Sequence, residues 1–160
     1  MRTIRLTVLG VLLAAVSTAA APPDPLAIRV TTLDGKTQSL TDYRGKVILL
    51  NFWSTSCAPC RVEIPWFVEF QKRWSQRGFV VLGVSMDDEP AQIKAFMQQQ
   101  GINYPMFEGR TVEDGIQKAT GGIWGIPTTF LIGRDGKVLK KRLGLASKTA
   151  FEREIEDALR

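Results

Sequence analysis

The 160-residue chain contains two cysteines, Cys57 and Cys60, separated by Ala58 and Pro59. A thiol attacks only as its thiolate, so such a pair does chemistry when one sulfur is made acidic and the other waits behind it. The pair lies between a run that is apolar except for Asn51, Val47–Phe52, and a segment in which Val62, Trp66, Phe67, Phe70 and Trp74 recur at helical spacing. The run reads as a strand covered on both faces and the segment as an amphipathic helix. Cys57 then falls at the helix N-terminus, where unpaired N–H groups and aligned peptide dipoles stabilise negative charge. Cys60 falls about one turn further in. Cys57 is therefore expected to be exposed and to attack, and Cys60 to be partly covered and to resolve. Pro59 suits a first helical turn, which has no use for the missing N–H.

Other uses of the pair fit less well. A structural disulfide across so short a gap removes little chain entropy. Zinc needs about four nitrogen or sulfur ligands, and the chain has no His and no second Cys pair. A copper site built from the pair and a Met would lack imidazole. No metal and no cofactor is expected. Thiol–disulfide exchange is the leading reading. A thiol peroxidase, with Ser54 or Thr55 assisting Cys57, is one alternative. A non-catalytic copper- or client-binding protein is the other.

The elements that must position the pair follow from pattern. Ile28–Thr31 and Lys36–Leu40 flank Leu33-Asp34-Gly35, a hairpin signal. Gly78 should close the first long helix, and Phe79–Val84 forms a second buried strand. Asp87-Asp88-Glu89-Pro90 opens a helix with acids at its positive end and Pro in its first turn. Ile93, Phe96 and Met97 supply its apolar face, and Gly101 ends it. Tyr104–Phe107 reads as a short strand and Val112–Ala119 as a short helix. Thr128–Ile132 and Val138–Arg142 flank a turn at Arg134–Lys137, and a last helix runs from an N-cap at Ser147 to Leu159. Strands alternating with helices, then a hairpin and a final helix, predict an α/β fold with a central mixed sheet flanked by helices.

Two residues near this frame invite functional readings. Pro127 opens a strand, which an ordinary Pro can do; a cis Ile126–Pro127 bond would instead turn the backbone toward the cysteines, where it can pair with a substrate segment. The cysteines upstream favour the second reading. Glu63, three residues after Cys60, lies on the same helix side. It is either a solvated acid or a partly buried carboxylate of raised pKa that relays the proton of Cys60. The residues alone leave both open.

Residues 1–21 read as a secretory signal: Arg2 and Arg5, an apolar stretch Leu6–Val16, then small residues Ser17–Ala21. An uncleaved anchor is the rival, although the stretch falls short of the roughly 20 residues a spanning helix prefers. Residues 22–27, with Pro22, Pro23 and Pro25, read as a linker before a domain over 28–160. Without Arg2 and Arg5 the 21 basic residues become 19 against 16 acidic, a net charge of +3. Such a balance gives no case for nucleic acid. Lys140-Lys141-Arg142 reads as a solvated strand edge.

The run V-I-L-L-N-F-W-S-T-S-C-A-P-C-R-V-E-I-P, Val47–Pro65, is similar to the thioredoxin superfamily and more narrowly resembles the TlpA/ResA branch of bacterial envelope thiol reductases. The run G-I-W-G-I-P-T-T-F-L-I-G-R-D-G-K, Gly122–Lys137, agrees with the same branch, and the resemblance covers nearly all of the chain from Ile28. It implies a thioredoxin-like fold with an N-terminal β-hairpin and a helix–strand insertion over about residues 90–107. It implies a redox-active Cys57–Cys60 disulfide with Cys57 as nucleophile and Cys60 resolving, Pro127 as a cis proline, and Pro65 kinking the active-site helix. Glu63 matches the branch's carboxylate, and substrate contacts are expected at Trp53, Ile126 and Pro127. Asn51 stands where cytosolic thioredoxins have a buried aspartate, so that proton relay is absent. Ser56 precedes Cys57 where the family often has Trp, which alters the docking surface. The implied function is a reductase of client-protein disulfides in the periplasm or a similar envelope compartment, of the cytochrome c maturation or copper-site assembly type. Its electrons would come from a membrane donor. A monomer is expected, with a membrane tether if the leader is retained.

Overall fold

The computed structural model describes residues 24–109 and 121–160. The segment expected to be a secretory signal, residues 1–21, and the helix expected at Val112–Ala119 lie outside the described residues. Among those described, no helix is long and apolar enough to cross a membrane.

Seven strands of the described residues form one mixed sheet: β1 (Arg29–Thr32), β2 (Thr37–Ser39), β3 (Val47–Trp53), β4 (Phe79–Ser85), β5 (Met106–Glu108), β6 (Thr128–Ile132) and β7 (Val138–Leu143). Their spatial order is β2-β1-β5-β4-β3-β6-β7. β3 pairs in parallel with β4 and antiparallel with β6, and β4 pairs in parallel with β5. Among the described residues the α-helices are α1 (Ala58–Trp74), α2 (Pro90–Gln100) and α3 (Lys148–Ala158). Every residue of β3 and β4 is buried, which is why both read as near-continuous apolar runs rather than as alternating ones.

Alternation along β3 divides the interior. Val47, Leu49 and Trp53 face one layer with Ile64, Phe67 and Phe70 of α1, Ile93 and Phe96 of α2, and Phe151 and Ile155 of α3. Ile48, Leu50 and Phe52 face the other, with Leu26, Val30, Leu40 and Phe130. These layers hold the frame. A fully buried Leu or Phe contributes about 1.5–3 kcal/mol, whereas an exposed pair such as Arg73–Glu152 contributes under about 1 kcal/mol. Asp24–Ala27, expected as linker, are in fact part of the domain: Leu26 is fully buried and Asp24 pairs with Arg44.

Local departures from the expected boundaries have local causes. α1 stops at Trp74 and passes into a 3-10 turn, Ser75–Arg77, before Gly78 reverses the chain at φ +78°. β5 starts at Met106 rather than Tyr104, because Pro105 has no N–H and enters the sheet only through its carbonyl, which accepts from Gly83 N at 3.0 Å. The basic run Lys140-Lys141-Arg142 lies on β7, an outermost strand of the sheet.

Gly109, just past β5, has no room for a side chain. A Cβ there would lie 2.6 Å from the carbonyl oxygen of Ser85 and 2.8 Å from Val84 Cγ1, and its own N–H donates to that carbonyl at 2.7 Å. Gly109→Ala should destabilise the domain by about 1–3 kcal/mol, the usual cost of overpacking. A urea-unfolding midpoint equal to wild type would show that the strand ends are not tightly held.

Candidate functional site

The cysteines sit where β3 hands over to α1. Cys57 is the N-cap of α1, in extended conformation, and its Sγ accepts from Cys60 N at 3.3 Å. The cap answers one of the unpaired donors of the first turn with a sulfur atom, so the group that would ionise already sits on the helix's positive end. Pro59 falls in the first turn. Cys57 and Cys60 are joined as a disulfide, S–S 2.00 Å and Cα–Cα 5.3 Å. Cys57 is half-buried rather than exposed, and Cys60 is fully buried rather than partly covered. α1 runs through Pro65, whose missing N–H leaves one rung of its ladder unmade.

Glu63 is the buried carboxylate of this helix, only 1 % exposed. Its Oε1 accepts from Ala146 N at 3.0 Å, and Oε2 has no hydrogen-bond partner among the described residues. Burial pushes its pKa up to about 7 against an ordinary 4.5, with the Ala146 N–H and the charge of Arg142 pulling back in part. A solvated surface acid is thus excluded. The Ala146 bond also ties α1 to the segment after β7. That same segment donates from Gly144 N to the carbonyl of Pro127 at 2.8 Å. The helix bearing both cysteines and the loop ahead of β6 are therefore joined through residues 144–146.

The Ile126–Pro127 peptide is cis. Pro127 is buried, and half-buried Ile126 packs against both interior layers. Asn51 is buried and donates from Nδ2 to Thr129 Oγ1 at 3.0 Å. Ser56 is exposed, with its Oγ 3.1 Å from that of Ser54. The expected substrate contact of Trp53 needs correction. Its side chain has no exposed surface, because β3 alternation sends it into the helix-covered layer with its ring centroid 5.1 Å from that of Phe96.

Sequence reasoning overlooked an apolar rim. Trp124, three residues before Pro127, is 82 % exposed, with its indole Nε1 donating to Gly121 O at 2.8 Å. Leu143 and Leu145 are 62 % and 52 % exposed, and Leu143 Cδ1 approaches Gly125. A large ring in a glycine-rich loop, with no strand or helix face to receive it, was the available signal for Trp124.

A family model described as "AhpC/TSA family" matches residues 20–141. The chain belongs to this family. The thiol-disulfide oxidoreductase ResA of Bacillus anthracis is 35% identical over 125 residues, which are 77% of this chain and 69% of that one. A thiol:disulfide interchange protein of the thioredoxin family from Chlorobium tepidum TLS is 36% identical, with a TM-score of 0.74 and coverage of 89% of this chain and 100% of its own. A thiol:disulfide interchange protein from a Bacteroides species is 25% identical, with a TM-score of 0.71 and coverage of 87% and 90%. These relatives and the bonded Cys57–Cys60 pair identify this AhpC/TSA member as a thioredoxin-like thiol–disulfide oxidoreductase, for which partners with thiols or disulfides follow.

Proposed function

We propose that the chain reduces disulfides of client proteins in the bacterial cell envelope. The observation that carries this reading is a half-buried sulfur capping a helix N-terminus, with its bonded partner fully buried behind it. In the dithiol form, Cys57 Sγ attacks one sulfur of a client disulfide and the other client sulfur leaves as a thiolate. Cys60 then gives its proton to the Glu63 carboxylate and attacks Cys57 Sγ. The first client sulfur departs, the client gains two electrons and two protons, and the Cys57–Cys60 bond returns. A donor at the membrane restores the dithiol. Ala58-Pro59 contains no His to stabilise a thiolate strongly, which favours a reductant over an oxidant. Apocytochrome c and copper-site assembly proteins are the client types in view, and the signal-like leader supports the compartment.

The client backbone docks along Ile126–Pro127, with Trp124, Leu143 and Leu145 contacting its apolar side chains. Their exposure beside the loop supports this. Trp124→Ala should slow reduction of a protein disulfide by about tenfold, the share of one aromatic anchor, while leaving reduction of a small aliphatic disulfide unchanged. Equal losses on both substrates would remove Trp124 from docking. The test of the whole reading is recovery of covalent adducts on Cys57 from envelope extracts containing the Cys60→Ser variant. The reading expects client proteins whose own cysteines form disulfides. Recovery of only an oxidant, or stoichiometric copper binding with no adduct, would replace it.

A further inference from the structure

We propose that Asp88 is a positioning residue that clamps the loop preceding Cys57 and keeps the nucleophile on the helix end once the disulfide has opened. The sequence reads Asp87-Asp88-Glu89 as acids facing the positive end of α2, but the structure puts Asp88 to a different use. The N-cap of α2 is Glu89. Asp88 is 5 % exposed, and its two oxygens accept three hydrogen bonds: Oδ2 from Thr55 N at 2.8 Å and Ser85 Oγ at 2.5 Å, Oδ1 from Thr55 Oγ1 at 2.5 Å. None of these three donors is a cation, so among the described residues the buried carboxyl is held by neutral dipoles.

The geometry follows from the parallel pairing of β3 with β4. Trp53 and Ser85 stand opposite one another at the C-terminal ends of the two strands, and Met86 N donates to Trp53 O at 2.9 Å. A residue three positions past Ser85 is therefore beside the loop that leaves Trp53. Asp88 takes that loop by both the backbone and the side chain of Thr55. Two residues later Cys57 N donates to Ser54 O at 3.2 Å, closing the turn that sets the sulfur. When the disulfide is reduced, Cys57 loses its covalent tether to Cys60. The turn, the Cys60 N–H and the hold of Asp88 on Thr55 then confine it. Helix-end stabilisation of a thiolate fades within the first turn, so a sulfur that wanders loses its acidity and its rate together.

The inference rests on the reading of Cys57 as nucleophile, and one measurement separates the two. The reduced protein is alkylated with iodoacetamide across a pH series, with folding checked by far-UV circular dichroism. Wild type should react with an inflection below the ordinary thiol value of about 8.5; if it does not, the nucleophile reading fails first. With that established, Asp88→Ala should cut the alkylation rate at mildly acidic pH about tenfold and move the inflection toward the ordinary value. Asp88→Asn, which keeps an acceptor for Thr55 N and a polar partner for Thr55 Oγ1, should recover the rate to within about threefold of wild type. Thr55→Ala, which loses the hydroxyl but keeps the backbone donor, should fall between the two. If Asp88→Ala fails to fold, the Asn and Thr55 variants decide. Wild-type rates in both Asp88→Ala and Thr55→Ala, or in Thr55→Ala alone where Asp88→Ala does not fold, overturn the proposal. So does an Asn variant as slow as Ala. An Asn variant faster than wild type overturns it as well, because Cys57 would then be responding to the charge of Asp88 and not to its grip on the loop.

Discussion

Cys57→Ser is expected to lose disulfide exchange down to the uncatalysed rate, whereas Cys60→Ser is expected still to attack and to accumulate mixed disulfides it cannot resolve. The asymmetry comes from burial. Cys60 is 1 % exposed, so a client sulfur cannot reach it first; Cys57 is half-buried and carries the N-cap position. Neither substitution should act by unfolding. A serine hydroxyl is a favoured N-cap acceptor for the Cys60 N–H that Sγ now receives, and the bridge closes too short a loop to contribute much chain entropy. The expected loss is chemical: an alkoxide is far too basic to form near neutral pH, whereas a helix end favours the thiolate form of a cysteine. The check is mass spectrometry of adducts formed with an oxidised model protein, alongside turnover of an insulin-type substrate. Turnover surviving in Cys57→Ser, or adducts forming through Cys60, would reverse the assignment of the two sulfurs.

The second large effect belongs to Glu63. Its carboxyl titrates at about 7 when folded against 4.5 ordinarily, because burial penalises the charged form. Between those values the unfolded chain has released the proton and the folded chain still holds it. The folded state therefore binds more protons, and stability falls as pH rises. The contribution is whole below about pH 4.5, and is lost as pH climbs through the folded pKa. At 1.36 kcal/mol per pKa unit this amounts to about 3 kcal/mol between acid and alkaline limits. Glu63→Gln keeps an oxygen for the Ala146 N–H and cannot ionise. Its stability relative to wild type should therefore rise by about 3 kcal/mol from about pH 4 to about pH 8, read from urea unfolding at each pH. A constant difference would mean that Glu63 is ordinarily ionised in the folded protein.

Catalysis should respond in the opposite sense. On the proposed role of the charged carboxylate as proton acceptor for Cys60, the resolving step should speed up as Glu63 ionises through about pH 7. Glu63→Gln should abolish that inflection in single-turnover resolution while the attack by Cys57 keeps its own pH profile. On that role the same carboxylate costs stability in the pH range where it would serve the reaction.

Much of this molecule was legible in the chain because the deciding interactions are local. A Cys before a first-turn Pro and a helical apolar stripe specify the cap, since cap and N–H lie three residues apart. The near-continuous apolar runs Val47–Phe52 and Phe79–Val84 announce strands buried on both faces, and the turn residues between elements fix where they stop. What the sequence left open depends on residues far apart in it. The partner of Glu63 is a backbone N–H 83 residues away, the loop partner of Asp88 is 33 residues away, and neither distance has a pattern that periodicity can detect. Trp53 appears in the motif as readily as a surface ring, and only the packing of α2 over β3 buries it. Propensity and spacing thus determined which sulfur sits on the helix end. The acidity of the group behind it and the hold on the loop before it were decided by tertiary structure, because desolvation and cross-element hydrogen bonds exist only once the layers have closed.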